Sequence, residues 1–215
     1  MEKKLVKIVL TGGPAGGKTT LISRILTEFK QDDDWRVITI PETATELISG
    51  FGIKPFDNCL SMLAFQDYVV ADQLHKEGLA LRAAEAVPEP KVLIVYDRAL
   101  LDDMAYITAE EFEPILNRFG LSAQTALAKY DAVIHLVTCA KGAEAFYNHG
   151  NVARTETPAQ AVELDDRTLR VWNGHPNHII VDNTGDFEHK LQRAMREILR
   201  LTGRPASGLS ASAAG

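Results

Sequence analysis

The stretch that decides the fold runs Leu5-Val6-Lys7-Ile8-Val9-Leu10-Thr11-Gly12-Gly13-Pro14-Ala15-Gly16-Gly17-Lys18-Thr19-Thr20. Leu5–Thr11 is a continuous apolar, β-rich block, the pattern of a strand buried on both faces. Glycines follow at once, and Lys18–Lys30 then sets Leu21, Ile25, Leu26 and Phe29 on one face of a helix. Between the two, Gly12, Gly17, Lys18 and Thr19 fit the pattern G-x-x-x-x-G-K-[ST]. Glycines let backbone N–H groups turn inward around an anion without side-chain obstruction. The helix N-terminus adds partial positive charge. Gly12, Gly13, Pro14, Ala15, Gly16, Gly17, Lys18, Thr19 and Thr20 are therefore the expected phosphate contacts of a nucleotide. Lys18 is expected to reach the β- and γ-phosphates, and the Thr19 hydroxyl to bind Mg²⁺. The competing reading is a glycine-rich turn that happens to precede a lysine. The strand before it and the helix after it count against that reading.

Four more apolar blocks follow: Arg36–Ile40, Val92–Tyr96, Ala132–Val137 and His178–Val181. Helix-like segments separate them, among them Asn58–Ala86, Ala159–Trp172 and Phe187–Leu201. Strands alternating with helices predict an α/β fold with a parallel sheet and right-handed crossovers. No repeat and no linker divides residues 1–203, so we read them as one domain. Gly203 closes the last helix, and the Ala-, Ser- and Gly-rich residues 204–215 read as a disordered tail.

The composition narrows the function. The chain has 215 residues, with 46% hydrophobic and 24% charged, which excludes disordered, collagenous and repeat-dominated classes. The formal net charge of −6 argues against a general nucleic-acid binder. Cys59 and Cys139 lack metal-site spacing, and two thiols in a chain of this length suit a reduced compartment. No stretch approaches the ~20 apolar residues that span a bilayer. A cytoplasmic protein is the expectation.

In open α/β sheets, ligands sit beyond the carboxyl ends of the strands. The second strand ends Ile40-Pro41-Glu42-Thr43-Ala44-Thr45-Glu46. A carboxylate at Glu42 can take a proton from an acceptor hydroxyl. The alternative is that Glu42 or Thr43 caps the next helix, with Glu46 completing a capping box. The third strand ends Val95-Tyr96-Asp97-Arg98. An acid after a run of apolar residues suits a Mg²⁺ position. Arg98 is placed to grip an acceptor group or the transferred phosphoryl, or else to pair with Asp97, Asp102 or Asp103. Asp102 and Asp103 read as helix caps. No [NT]-K-x-D guanine-reading pattern follows the fourth strand, and Asp182-Asn183-Thr184-Gly185 comes too late to be a switch motif. A Ras-like GTPase is not expected.

Gly12–Thr20, Pro41-Glu42, Asp97-Arg98 and the series Arg154, Trp172, His175-Pro176 and Asp182-Asn183 together resemble a narrower P-loop family. It is the AAA domain of the NadR type, related to nucleoside kinases. It comprises the nicotinamide-riboside kinase part of the bacterial NAD-biosynthesis regulator and the ATPase-like domain of a fly photoreceptor trafficking protein. The resemblance covers nearly the whole folded chain. It implies a three-layer P-loop NTPase fold, a five-stranded parallel sheet in the order 2-3-1-4-5, and a helical lid at about 141–174. It also implies a general-base glutamate at Glu42 and lid arginines, with Arg154 favoured and Arg167 even between a role and a Glu163 ion pair. An acceptor-reading glutamine is implied at Gln66, with Gln73 as its rival. Asn183 is implied near the adenine. Ala99 stands where relatives commonly carry glycine.

Trp172 reads as a core anchor, and His175-Pro176 as shaping the run into the last strand. The expected function is a Mg²⁺-dependent kinase that transfers the γ-phosphoryl of ATP to a hydroxyl of a nucleoside-like or other small metabolite. Its expected catalytic set is Lys18, Glu42, Asp97, Arg98 and Arg154. The alternative is a nucleotide-binding regulatory ATPase or GTPase-like protein with little or no kinase activity.

Overall fold

The computed structural model describes residues 3–55, 60–142 and 157–205. Five strands form one sheet: β1 (Lys4–Thr11), β2 (Trp35–Ile40), β3 (Lys91–Asp97), β4 (Ala132–Leu136) and β5 (His178–Val181). Their order is β2-β3-β1-β4-β5, and every pairing is parallel. The register sets Leu10 opposite Asp97 and Thr11 opposite His135. The phosphate-loop strand therefore ends level with its two neighbours, at one lip of the sheet.

Helices flank the sheet: α1 (Lys18–Phe29), α2 (Thr43–Ser49), α3 (Met62–Ala86), α4 (Ala109–Arg118), α5 (Ala123–Leu127), α6 (Pro158–Val171) and α7 (Phe187–Thr202). A short 3₁₀ segment, Leu100–Ala105, follows β3. The strand residues alternate between two cores, as the period-2 geometry of a strand requires. Leu10, Leu93 and Val95 pack with Leu21 and Ile25 of α1 and Ile198 of α7. Val9, Ile94 and Tyr96 pack on the other face with Val70 of α3, Phe112 of α4 and Trp172. These are the three expected layers. Both faces of the sheet are buried, which is why its strands are unbroken apolar runs in the sequence.

The expected long helix Asn58–Ala86 begins later, at Met62, because the Ser61 side chain accepts from the Ala64 amide and caps it. Asn58 and Cys59 lie outside the described residues. Helices α4 and α5 were not among the expected segments, although both start on capping boxes, Thr108 with Glu111 and Ser122 with Thr125. At the far end Gly203 caps α7 with φ 73°, as expected of a closing glycine. Arg204, the first residue of the expected tail, lies with its guanidinium over the Phe29 ring and bonds Asp32. Residues 206–215 are outside the described residues. Among the described residues no helix is long and apolar enough to cross a membrane.

Candidate active site

The loop between β1 and α1 has the backbone that its glycines predict. Gly12 has φ 122°, and a Cβ there would lie 2.2 Å from the Leu136 carbonyl oxygen. Gly17 caps α1 with φ 99°. Ala15 takes a left-handed φ of 58° without being glycine, a conformation that non-glycine residues adopt at a cost and that clusters at ligand sites. The end of β4 holds this part of the loop: the Thr138 hydroxyl donates to the Pro14 carbonyl at 2.5 Å, and the Cys139 amide to the Ala15 carbonyl at 3.4 Å. The Lys18 ammonium donates to the Gly12 and Gly13 carbonyls, both at 3.1 Å. Burial, with the charge of Arg98, lowers its pKa to about 8, against the opposing pull of Glu42, Asp97 and Asp102.

Two strand ends face the loop. Arg98 follows β3 with φ 65°, a second strained position. Its Nε donates to Glu42 Oε1 at 2.6 Å, and its Nη1 lies 4.0 Å from Asp102 Oδ1. The expected pairing of Arg98 with its own neighbours is thus largely replaced by one across the cleft. Burial opposes ionisation of Glu42, but Arg98, then Lys18, and the Thr45 hydroxyl at 2.8 Å outweigh it and hold the carboxyl below its ordinary value. Glu42 stands at the N-cap position of α2 without a side-chain cap bond, and Glu46 pairs with Lys76 at 2.5 Å instead of closing a box. The capping alternative for Glu42 does not hold.

Asp97 Oδ1 is buried without a hydrogen-bond partner, and burial raises the pKa of the group. An orphaned carboxylate oxygen beside Lys18 is a donor atom that a cation would satisfy. Among the described residues no three His, Cys, Asp or Glu side chains gather to hold an ion by themselves. Mg²⁺ binds through one or two protein groups together with substrate phosphates and water. Thr19 and Asp97 both line the cavity, and their oxygens are of the kind such an ion takes.

Asp102 is only in part the expected cap. Its Oδ2 accepts from the Ala99 amide at 2.8 Å, but its Oδ1 accepts from the Thr11 hydroxyl and from Trp172 Nε1, tying β1 to the end of α6. Asp103 is not a cap: it is buried, its Oδ2 has no partner, and burial beside Asp102 raises its pKa well above the usual range. Reading it as a cap missed a carboxyl that lines the cleft.

One cavity of about 640 Å³ joins these groups. Its lining includes Pro14–Thr20 of the loop, Glu42, Asp97 and Arg98 from the strand ends, and Met62, Phe65, Gln66, Gln73 and Asp103. The rival glutamines both line the cavity and differ in their bonding. Gln73 accepts from the Thr43 hydroxyl at 2.5 Å and donates to Glu77 at 3.3 Å, so its side chain is already engaged. Gln66 keeps Oε1 unpaired, and its amide donates weakly to the Met62 sulfur at 3.4 Å.

Three further expectations resolve. Arg167 pairs with Glu163, the ion-pair alternative. Buried His175 bonds the Tyr130 carbonyl at 2.9 Å and accepts from the Asn177 amide, a turn-shaping role. The Asn183 side chain is taken up by the Thr138 and Lys141 carbonyls and by Lys190, so it clamps the β4 loop. Only its backbone is left to meet a base. Arg154 and most of the lid before α6 lie outside the described residues.

A model of the AAA domain family (AAA_28) matches residues 7–190. Among solved structures, deoxyadenosine kinase from M.mycoides with bound dATP superposes with a TM-score of 0.55 at 15% identity, covering 90% of this chain and 98% of that one. The NadR protein in complex with NR superposes with a TM-score of 0.64 at 17% identity, covering 97% of this chain and 54% of that one. This chain thus spans about half the length of the second. At these identities the likeness is one of fold. No curated protein sequence matches the chain significantly.

Proposed function

The chain belongs to the AAA domain family, and on that premise we propose that it is a Mg²⁺-dependent kinase moving the γ-phosphoryl of ATP to a hydroxyl of a nucleoside-like or similar small metabolite. The observation that carries this reading is the continuity of the cleft: the phosphate loop, Glu42, Arg98 and Gln66 line the same cavity. A plain nucleotide hydrolase has no need of an acceptor chamber beside its loop. The volume is within the range of small-molecule sites.

In this reading the loop amides and Lys18 hold the phosphates, and Thr19 and Asp97 hold Mg²⁺, which offsets charge on the β- and γ-oxygens. Glu42 orients the acceptor hydroxyl and takes its proton. Arg98, held by Glu42, offsets charge on the transferred group. The same role is proposed for Arg154 on the resemblance alone. Gln66 and Asp103 read the polar edge of an acceptor whose flat body rests on Met62 and Phe65. Burial of Asp103 favours its neutral form, which can donate a hydrogen bond there. ATP is preferred over GTP, since no guanine-reading motif follows β4. The negative net charge speaks against a general nucleic-acid partner.

The test is a coupled ADP-release assay over nucleosides, nicotinamide riboside and nucleotides, each with ATP and with GTP. Acceptor-dependent release with at least one nucleoside-like compound is expected. Nucleotide binding without transfer to any acceptor would favour the regulatory alternative.

A further inference from the structure

We propose that Asp165, a residue of α6 outside the cleft, is a positioning residue that holds the phosphate loop in its anion-binding shape. The proposal rests on the reading of Gly12–Thr20 as a nucleotide site. Asp165 is fully buried. Its Oδ1 accepts from the Gly13 amide at 2.7 Å, from the Thr138 amide at 3.0 Å and from His135 Nε2 at 3.1 Å. Its Oδ2 accepts from the Lys141 ammonium at 2.7 Å. Donors from the loop, from β4 and from the segment after β4 thus converge on one carboxylate. It reaches the loop by two routes. One is the bond to Gly13, and the other runs through Thr138, whose hydroxyl holds the Pro14 carbonyl.

An independent observation comes from the loop side. Gly13 is one of the variable positions of the G-x-x-x-x-G-K-T pattern, so the motif does not require glycine there. A Cβ at Gly13 would nevertheless lie 2.8 Å from Asp165 Cβ and 3.1 Å from the Ala161 carbonyl. The loop is seated directly on α6, and the missing side chain is what lets the carboxylate reach the amide. Burial opposes the charge of Asp165, but the bonds from His135, Lys141 and Gly13 outweigh it and hold the carboxyl far below its ordinary value. The group is therefore a fixed anion at neutral pH, and Lys141, which also pairs with Asp166 at 2.6 Å, offsets its charge near the phosphate site.

Asparagine keeps the shape but has one oxygen, so its amide N–H groups must face either the loop amides or Lys141. Calorimetry on the full chain, with ATP·Mg²⁺ and separately with tripolyphosphate·Mg²⁺, tests this. A folded Asp165→Asn variant is expected to weaken both ligands about tenfold or more, and by a similar factor. A purely structural carboxylate would lower the melting temperature and leave both affinities unchanged, which would overturn the proposal. A loss confined to ATP would overturn it too, since the effect would then lie at the base. Should Asp165→Asn fail to fold, Asp165→Ser, which leaves room for water, is titrated with the same two ligands: a matched loss supports the proposal, and unchanged affinities or a loss confined to ATP overturn it. Wild-type protein that binds neither ligand would sink the nucleotide reading along with this one, whereas normal wild-type binding with an indifferent variant sinks only the role of Asp165.

Discussion

Arg98 Nε and Glu42 Oε1 meet at 2.6 Å, joining the residue after β3 to the residue before α2 across the cleft. Each lies next to a different strand end, and among the described residues neither has a closer partner of opposite charge. The pair explains why Arg98 accepts a left-handed backbone. An extended residue would carry the guanidinium elsewhere, and the half-buried Glu42–Arg98 attraction works against a strain of order 1–3 kcal/mol. It also keeps Glu42 ionised, the state in which a carboxylate can receive a proton.

The pair has a pH signature. Glu42 is held below its unfolded value, so its contribution to stability is present above about pH 4.3 and is lost as the pH falls through the folded value. Arg98→Met removes the largest influence lowering that value. Urea unfolding between pH 3 and pH 7 is expected to show a steeper acid loss in wild type than in Arg98→Met. At neutral pH the variant should be less stable by about 1–3 kcal/mol, less than a fully buried pair would cost because Glu42 keeps 31% of its side-chain exposure. Parallel pH profiles would mean that the pair contributes nothing.

Lys18 yields a second pH dependence. With its pKa lowered to about 8 against 10.5 for the free group, the folded chain binds fewer protons than the unfolded chain across that window. Stability of the ligand-free protein should therefore rise with pH there. Nucleotide binding should do the reverse, since phosphates need the ammonium. ATP·Mg²⁺ affinity is expected to fall by up to tenfold per pH unit above pH 8, with proton uptake visible as buffer-dependent heat in calorimetry. Lys18→Ala should abolish both the uptake and most of the affinity while folding normally. An affinity flat to pH 10 would contradict the placement of Lys18.

The two glutamines line one cavity but should part in experiment as they do in bonding. Gln73→Leu strips Thr43 and Glu77 of a buried partner and is expected to cost about 1–3 kcal/mol in thermal or urea unfolding. Gln66→Leu breaks only a weak sulfur contact. It should leave stability within about 0.5 kcal/mol but raise the KM of the acceptor more than that of ATP. A Gln66→Leu variant with unchanged acceptor kinetics would remove Gln66 from the acceptor site.

These residues also mark where sequence reading stops. The sheet was legible because doubly buried strands leave unbroken apolar runs, and the lip residues because ligands gather at the ends of such strands. Gln66 and Gln73 are seven positions apart on one helix, so periodicity puts them on the same face. Only Thr43 and Glu77, distant in sequence from Gln66, tell them apart. Asp103 looked like half of an Asp-Asp cap, because nothing local shows that it is buried against the cleft. Asp165 sat in a polar, charged helix, and nothing local signals that Gly13 lies against it. The capping boxes of α4 and α5, by contrast, are written in the sequence at Thr108–Glu111 and Ser122–Thr125.

Glu42 separates a kinase from a binding protein most directly. Glu42→Gln keeps the size of the side chain and an oxygen for the Arg98 Nε, but an amide cannot take a proton at neutral pH. If Glu42 is the base, single-turnover phosphoryl transfer should slow on the order of the 10²–10⁴-fold usual for general acid–base catalysis. The loss should fall on kcat, since the ground-state hydroxyl can still hydrogen-bond to the amide. ATP·Mg²⁺ affinity should change little, because the loop amides and Lys18 remain. Stability should fall by about 1–2 kcal/mol, because the charge-assisted bond to Arg98 becomes an ordinary one. No loss of a helix cap is expected, because the Glu42 side chain makes no cap bond. Melting temperature and transfer rate must therefore be measured on the same variant. A lower melting temperature with an unchanged rate would make Glu42 a support for Arg98 and leave proton removal to solvent.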